Sequence, residues 1–167
     1  MDSLWLIIVF CLAGFFLKTA DFLGEKGFKA KAFLASGLSA LLFWVLLKAN
    51  SETATLILSI TVGCVLALKV DRPNLVFGVG FLAFLAFIFG FCFPIFWLLV
   101  LLTAVTVLDE FTHEKLKNMF FRFRGFLKTV VVILAFLGFL SYLNALGFII
   151  FDLTYDLTDV WLKRVKS

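Results

Sequence analysis

The stretch of residues 73–108 contains no charged side chain, and this run constrains the fold more than any other feature. Its 36 residues would form one helix about 54 Å long, whereas the hydrocarbon core of a bilayer is roughly 30 Å thick. A break is expected at residues 90–94, because Pro94 removes a helix N–H and Gly90 tolerates a turn. We therefore predict two short helices, residues 75–91 and 95–108, joined by an apolar hairpin.

The composition extends this constraint to the whole chain. Hydrophobic residues make up 63% of the 167 residues and charged residues 16%, against about 45–50% and 25% in soluble domains. The apolar stretches are continuous rather than alternating, which favours membrane helices. We predict an all-α integral membrane protein, a six-span transmembrane helix bundle over residues 1–151 with an interfacial amphipathic C-terminal helix over residues 152–167. The six predicted spans are residues 4–17, 32–47, 54–68, 75–91, 95–108 and 129–151.

Small side chains recur every four residues in several of these spans. The second span carries Ala32, Ser36 and Ala40. The third span carries Thr55, Ser59, Gly63 and Ala67. Such stripes let helix backbones approach closely in lipid, so we predict that the second and third spans pack through them.

The positions of lysine and arginine predict the orientation. With six spans, the first, third and fifth connections hold eleven basic residues, and the other side of the membrane holds four. With five spans the division is nine against six, so the positive-inside rule favours six. The predicted location is the cell membrane, with multiple crossings, both termini outside and the basic loops in the cytoplasm.

Acidic residues collect on the predicted cytoplasmic side, near the ends of the first, third and fifth spans. Carboxylate oxygens suit a hard cation such as Mg²⁺, and Glu-x-x-His is a spacing by which helices supply metal ligands. The candidate metal ligands are Asp21, Glu25, Asp71, Asp109, Glu110 and His113.

Basic residues on the same side are candidates for binding phosphate or lipid headgroups. They are Lys69, Arg72, Lys115, Arg122 and Arg124. The last three belong to a segment in which basic and aromatic residues alternate, and its attachment to spans at both ends favours lipid over nucleic acid. The alternative interpretation is that these loops carry ordinary solvated charge pairs.

Two function classes follow from this pattern. No ionisable residue lies in the middle of a predicted span, which disfavours a proton pump that works through this chain alone. The single histidine excludes a three-histidine zinc site within one subunit. We expect a membrane component of a transport or respiratory-type complex, or a small transporter, whose partners are membrane lipids, further copies of itself or other membrane subunits. The alternative is a divalent-metal-dependent membrane enzyme that acts on a lipid phosphate at the cytoplasmic interface.

Overall fold

The computed structural model describes residues 3–115 and 125–164, except for the side chains of residues 113–115. This part of the chain is all-helical, with seven helices and no strand. The helices are α1 (Ser3–Glu25), α2 (Lys29–Ala49), α3 (Ser51–Leu66), α4 (Pro73–Phe89), α5 (Phe96–Lys115), α6 (Gly125–Phe136) and α7 (Tyr142–Arg164).

Successive helices alternate in direction. Two contacts between α1 and α7 show that these helices run parallel. Gly14 lies against Phe151, and Lys18, later in α1, forms an ion pair with Asp159, later in α7. The N-terminal end of α1 and the C-terminal end of α7 therefore lie at opposite ends of the bundle. This arrangement differs from the predicted one, in which both termini share a side. Helices α1, α3, α5 and α7 all end at the same end of the bundle. We call this end the basic end.

The predicted break in the apolar run is confirmed. Helix α4 ends at Phe89, Gly90 has a φ of 73°, and α5 begins at Phe96. The connecting backbone does not go unpaired, because the indole of Trp44 donates to the Gly90 carbonyl at 3.2 Å and the Ile95 N–H donates to Thr55 Oγ1 at 2.8 Å. These two hydrogen bonds join the connection to α2 and α3.

The predicted sixth span, residues 129–151, is not one helix. Helix α6 ends at Phe136, Gly138 adopts a φ of 78°, and α7 begins at Tyr142. Helix α7 then continues without interruption to Arg164, so the C-terminal amphipathic sequence is the second half of a longer helix.

A buried polar network holds this second break in place. Asn144, only 2% exposed, donates to Glu52 Oε2 at 2.8 Å and accepts from the Thr53 hydroxyl at 2.9 Å. Glu52 also accepts from the Ser141 N–H at 2.7 Å. The start of α7 is thereby fixed to the first turn of α3, at the end of the bundle opposite the basic end.

The small-residue stripes lie at helix interfaces, as predicted, but each faces a helix that the prediction did not name. A Cβ added to Gly78 of α4 would lie 3.3 Å from the Cβ of Ser36 in α2. A Cβ added to Gly63 of α3 would lie 2.6 Å from the Cβ of Thr106 in α5. Close approach thus joins α2 to α4 and α3 to α5.

Two helices of the described residues, α1 and α2, are long and apolar enough to cross a membrane. Three shorter apolar helices, α3, α4 and α6, have 16, 17 and 12 residues. The all-helical fold is confirmed, whereas the six-span bundle is not, because only α1 and α2 among the described helices are both long and apolar enough.

Candidate functional site: a cleft at the basic end

A cleft of about 410 Å³ lies between α1, α2, α3, α4 and α7 towards the basic end. Its lining has a charged part, a part with hydroxyl groups and an apolar part. Charged groups come from the end of α1 and the loop after α3: Asp21, Lys69, Asp71 and Arg72. Hydroxyl groups come from α2 and α3: Ser36, Ser39 and Thr61. The apolar walls include Phe43, Leu82 and Phe151.

Arg72 organises the charged part of this lining. It immediately precedes Pro73, the first residue of α4, and so projects from the helix start. Its guanidinium forms an ion pair with the Asp21 carboxylate, donates to the Asp21 main-chain carbonyl at 3.0 Å, and donates to Glu25 Oε1 at 3.0 Å. Burial lowers the pKa of Arg72, but the charges of Asp21, Glu25 and Asp71 outweigh it and raise that pKa above its ordinary value.

Lys18 links the cleft to α7. Its ammonium lies 3.2 Å from Asp21 Oδ2 and 3.1 Å from Asp159 Oδ1, and it lies 4.9 Å from the centre of the Tyr155 ring. The sequence did not predict that Tyr155 lines the cleft, nor that Lys18 pairs with Asp159 beside it. The spacing of Lys18 and Asp21 indicates a pair on one helix, but nothing in the sequence shows that α7 packs beside α1.

Below the charged groups, Ser36 and Ser39 line the cleft, and they differ in their hydrogen bonds: Ser36 contacts the buried side chain of Asn74, outside the lining. The amide of Asn74, 4% exposed, donates to the Ala20 carbonyl at 3.0 Å and to Ser36 Oγ at 3.3 Å. Ser39 is 2% exposed, and its hydroxyl has no hydrogen-bond partner among the described residues. An unpaired buried hydroxyl costs free energy, so Ser39 offers an unused donor and acceptor to a ligand in the cleft.

The structure brings together only some of the predicted site residues. Asp21, Lys69, Asp71 and Arg72 line the cleft, and Glu25 is joined to them through Arg72. Asp109 and Glu110 are buried in α5, where Glu110 Oε1 lies 4.0 Å from Cys64 Sγ. Cys64 lines the cleft from α3, so this carboxylate lies next to the cleft wall.

The remaining predicted residues lie outside what the structure describes. They are the side chains of His113 and Lys115, together with Arg122 and Arg124. Among the side chains of residues 3–112 and 125–164, no group of three or more histidine, cysteine, aspartate or glutamate residues is placed to hold a metal ion. The predicted ligand set includes His113, so the Mg²⁺ site stays a prediction.

Comparison of the chain with protein-family models, with curated proteins and with solved structures gives no match.

Proposed function

We propose that this chain is a multi-pass membrane protein that serves as a membrane component of a transport or respiratory-type complex, or as a small transporter, with the cleft as its ligand site. The observation that carries the membrane part is the reversed polarity of α7. Its apolar side chains Leu153, Leu157 and Trp161 are 55–60% exposed. Its acidic side chains turn inwards, where Asp152 pairs with Lys128 and Asp159 with Lys18. Lipid, not water, favours that arrangement.

The orientation follows from the charges at the two ends. Of the eleven lysines and arginines in the described residues, ten lie in the half of the bundle at the basic end, and Lys48 lies at the other end. The positive-inside rule then puts the basic end in the cytoplasm and the start of α1 outside. The described end of α7 falls on the cytoplasmic side, which removes the unfavourable basic tail that the six-span prediction placed outside.

A transport role fits the distribution of polar groups in the cleft. Charged side chains at the basic end give way to Ser36, Ser39 and Thr61, and then to apolar walls between five helices. A solute entering from the cytoplasm would exchange its water for these groups step by step. Helix bundles commonly place ligand sites between facing helices in this way.

The membrane and orientation proposals are tested by fractionation and cysteine labelling. Single cysteines at Ser51 and Lys26 are introduced into a variant in which Cys11, Cys64 and Cys92 are replaced by alanine. We expect the protein in the membrane fraction, with position 51 labelled from outside and position 26 labelled only after permeabilisation. Labelling of both positions from one side would reject the arrangement.

The functional proposal is tested by native mass spectrometry of gently extracted protein. Co-purifying unlike chains would identify a complex component, and a monomer or homodimer that retains a small solute would identify a transporter. The variant Ser39→Phe, which places a ring in the cleft, should lose the solute, and Lys48→Ala at the other end should keep it. Solute retention by Ser39→Phe would remove the cleft from the proposal.

One observation favours the enzyme as a second candidate. Lys69 and Arg72, predicted to bind phosphate, line the same cleft as Asp21 and Asp71, predicted to bind metal. Metal-assisted phosphoryl chemistry needs both kinds of group close together. Thermal stabilisation by Mg²⁺ or Mn²⁺ that disappears in Asp71→Ala and Glu110→Ala would support this candidate. Equal metal response in wild type and both variants would reject it.

A further inference from the structure

A second concavity, on the outer surface between α2 and α4, is almost entirely apolar. It encloses about 400 Å³ and is lined by Ala30, Phe33, Gly37, Leu41, Phe77 and Phe81, among others. Aromatic rings form one wall, because Phe33 lies 5.3 Å from Phe77 and Phe77 stacks on Phe81 at 5.9 Å between centroids. Gly37 leaves the floor open, since a Cβ added there would meet only Phe77, at 3.7 Å. We call this concavity the α2–α4 groove.

Two lysines flank the end of the groove that lies at the basic end. Lys29 and Lys31 are the sequence neighbours of Ala30, and both are exposed. Neither forms an ion pair within the part of the chain that the structure describes, although Lys31 lies 5.9 Å from the centre of the Phe28 ring. The groove is therefore apolar along its length and has two positively charged side chains at one end.

The length of the groove matches one leaflet. From Ala30 to Leu41 the groove follows α2 for about 16 Å, close to half of a hydrocarbon core of roughly 30 Å. Its charged end lies where cytoplasmic-leaflet headgroups would be in the proposed orientation. A lipid acyl chain extends over one leaflet, as this groove does.

We infer that the α2–α4 groove binds one acyl chain of an anionic phospholipid of the cytoplasmic leaflet, with the phosphate at Lys29 and Lys31. The inference rests on the proposed membrane location and not on the cleft. A second copy of this chain is a poorer occupant, because a parallel copy would bring its own Lys29 and Lys31 against the same charges. Anionic headgroups are attracted to such lysines and screened from them by salt.

The test uses full-length protein recovered from the membrane fraction in mild detergent. Phosphatidylglycerol and phosphatidylcholine with identical acyl chains are added, and retention is measured by native mass spectrometry. We expect phosphatidylglycerol to be retained preferentially. The double variant Lys29→Ala/Lys31→Ala should lower that preference roughly tenfold, because each lysine contributes separately near an anionic surface. The variant Gly37→Leu, which fills the floor, should abolish retention of both lipids.

Two matched controls separate the site from general effects. Gly80→Leu puts the same side chain on α4 where an added Cβ meets nothing within 4 Å, and Lys48→Ala removes a lysine at the other end. Both should bind as wild type does. Equal retention of the two lipids by wild type, or unchanged retention by Gly37→Leu, would overturn the inference. A homodimer lost in Gly37→Leu would also overturn it, by assigning the groove to a second copy. Absence of the protein from membranes would instead reject the proposed location.

Discussion

Arg72 and Asp21 are joined twice, through the Asp21 carboxylate and through its main-chain carbonyl, which accepts from the guanidinium at 3.0 Å. The second contact ties the loop after α3 to the backbone of α1, independently of the charge on Asp21. A planar guanidinium with several donors can make both contacts together with the one to Glu25. Arg72 is therefore a structural clamp at the cleft as well as a candidate ligand for an anion.

Replacement of this clamp should destabilise the bundle. We expect Arg72→Ala to lower the free energy of unfolding by about 1–3 kcal/mol, because the Asp21 carbonyl and the Glu25 carboxylate lose this donor. The loss should be partial, since Lys18 still lies 3.2 Å from Asp21. Arg72→Lys should restore less than half of the lost stability, and Lys26→Ala, at an exposed lysine outside the cleft and the α2–α4 groove, should have no effect. Equal unfolding temperatures of Arg72→Ala and Lys26→Ala in detergent would contradict the assignment.

The Asn144 network predicts energetic coupling between α3 and α7. Asn144→Leu keeps the volume but leaves Glu52 and the Thr53 hydroxyl without this partner, so we expect a loss of about 1–3 kcal/mol. Glu52→Gln should lower the free energy of unfolding less in the Asn144→Leu variant than in wild type. A double-mutant cycle measured by thermal unfolding gives the coupling directly, and strictly additive effects would show that the two side chains do not act together.

Glu52 also predicts a pH dependence. Glu52 precedes the apolar stretch of α3. Burial raises the pKa of its carboxyl group, but hydrogen bonds from the Ser141 N–H and the Asn144 amide have a larger effect. The pKa is therefore below its ordinary value. A carboxylate whose pKa is lower in the folded state than in the unfolded state stabilises the fold fully at pH values above its unfolded pKa. That stability is lost as the pH falls through the lower, folded value.

The pH effect is isolated by comparing wild type with Glu52→Gln. Between about pH 6 and pH 3 the unfolding temperature of wild type should fall further than that of the variant, because the variant has no proton to bind at position 52. Above about pH 6 the two curves should run parallel. A constant difference across the whole range would mean that the folded and unfolded pKa values of Glu52 are the same.

The two breaks in the chain show how far sequence reasoning reaches. The break at residues 90–95 was predictable because Gly90 and Pro94 both oppose a helix and the apolar run is too long for one span. The break at Gly138 was not, because a single glycine in an apolar stretch is equally compatible with a helix-packing stripe. The break at Gly138 is stabilised by a tertiary interaction: Glu52, in a helix distant in sequence, accepts hydrogen bonds from Ser141 and Asn144.

The candidate site divides in the same way. The acidic and basic residues near the ends of the predicted first and third spans were predicted to meet, and Asp21, Lys69, Asp71 and Arg72 do line one cleft. The first span was expected to end near Leu17, yet α1 continues to Glu25, because Lys18, Asp21 and Glu25 find charged partners on other elements. The Lys18–Asp159 pair depends on the contact between α1 and α7, and the Glu25–Arg72 pair depends on the contact between α1 and the start of α4. No local pattern encodes either contact.

Close contact between α1 and α7 predicts intolerance at Gly14. A Cβ added to Gly14 would collide with the main-chain oxygen of Phe151, which has no freedom to move away. We expect Gly14→Ala to cost about 1–3 kcal/mol through forced separation of the helices. Gly80→Ala is the control, because its Cβ meets nothing and alanine favours a helix by about 0.5–1 kcal/mol over glycine. Equal stability changes in the two variants, measured by thermal unfolding, would refute the close approach.

The two serines of the cleft should respond in opposite ways to loss of the hydroxyl. Ser39→Ala removes a buried group that has no partner among the described residues, so we expect unchanged or slightly higher stability. Ser36→Ala removes the acceptor of the Asn74 amide at 3.3 Å and should cost about 1 kcal/mol. Thermal unfolding of the ligand-free protein measures both. A cost for Ser39→Ala equal to that for Ser36→Ala would show that Ser39 serves the fold. No cost, combined with weaker solute retention, would show that its hydroxyl is kept for a ligand.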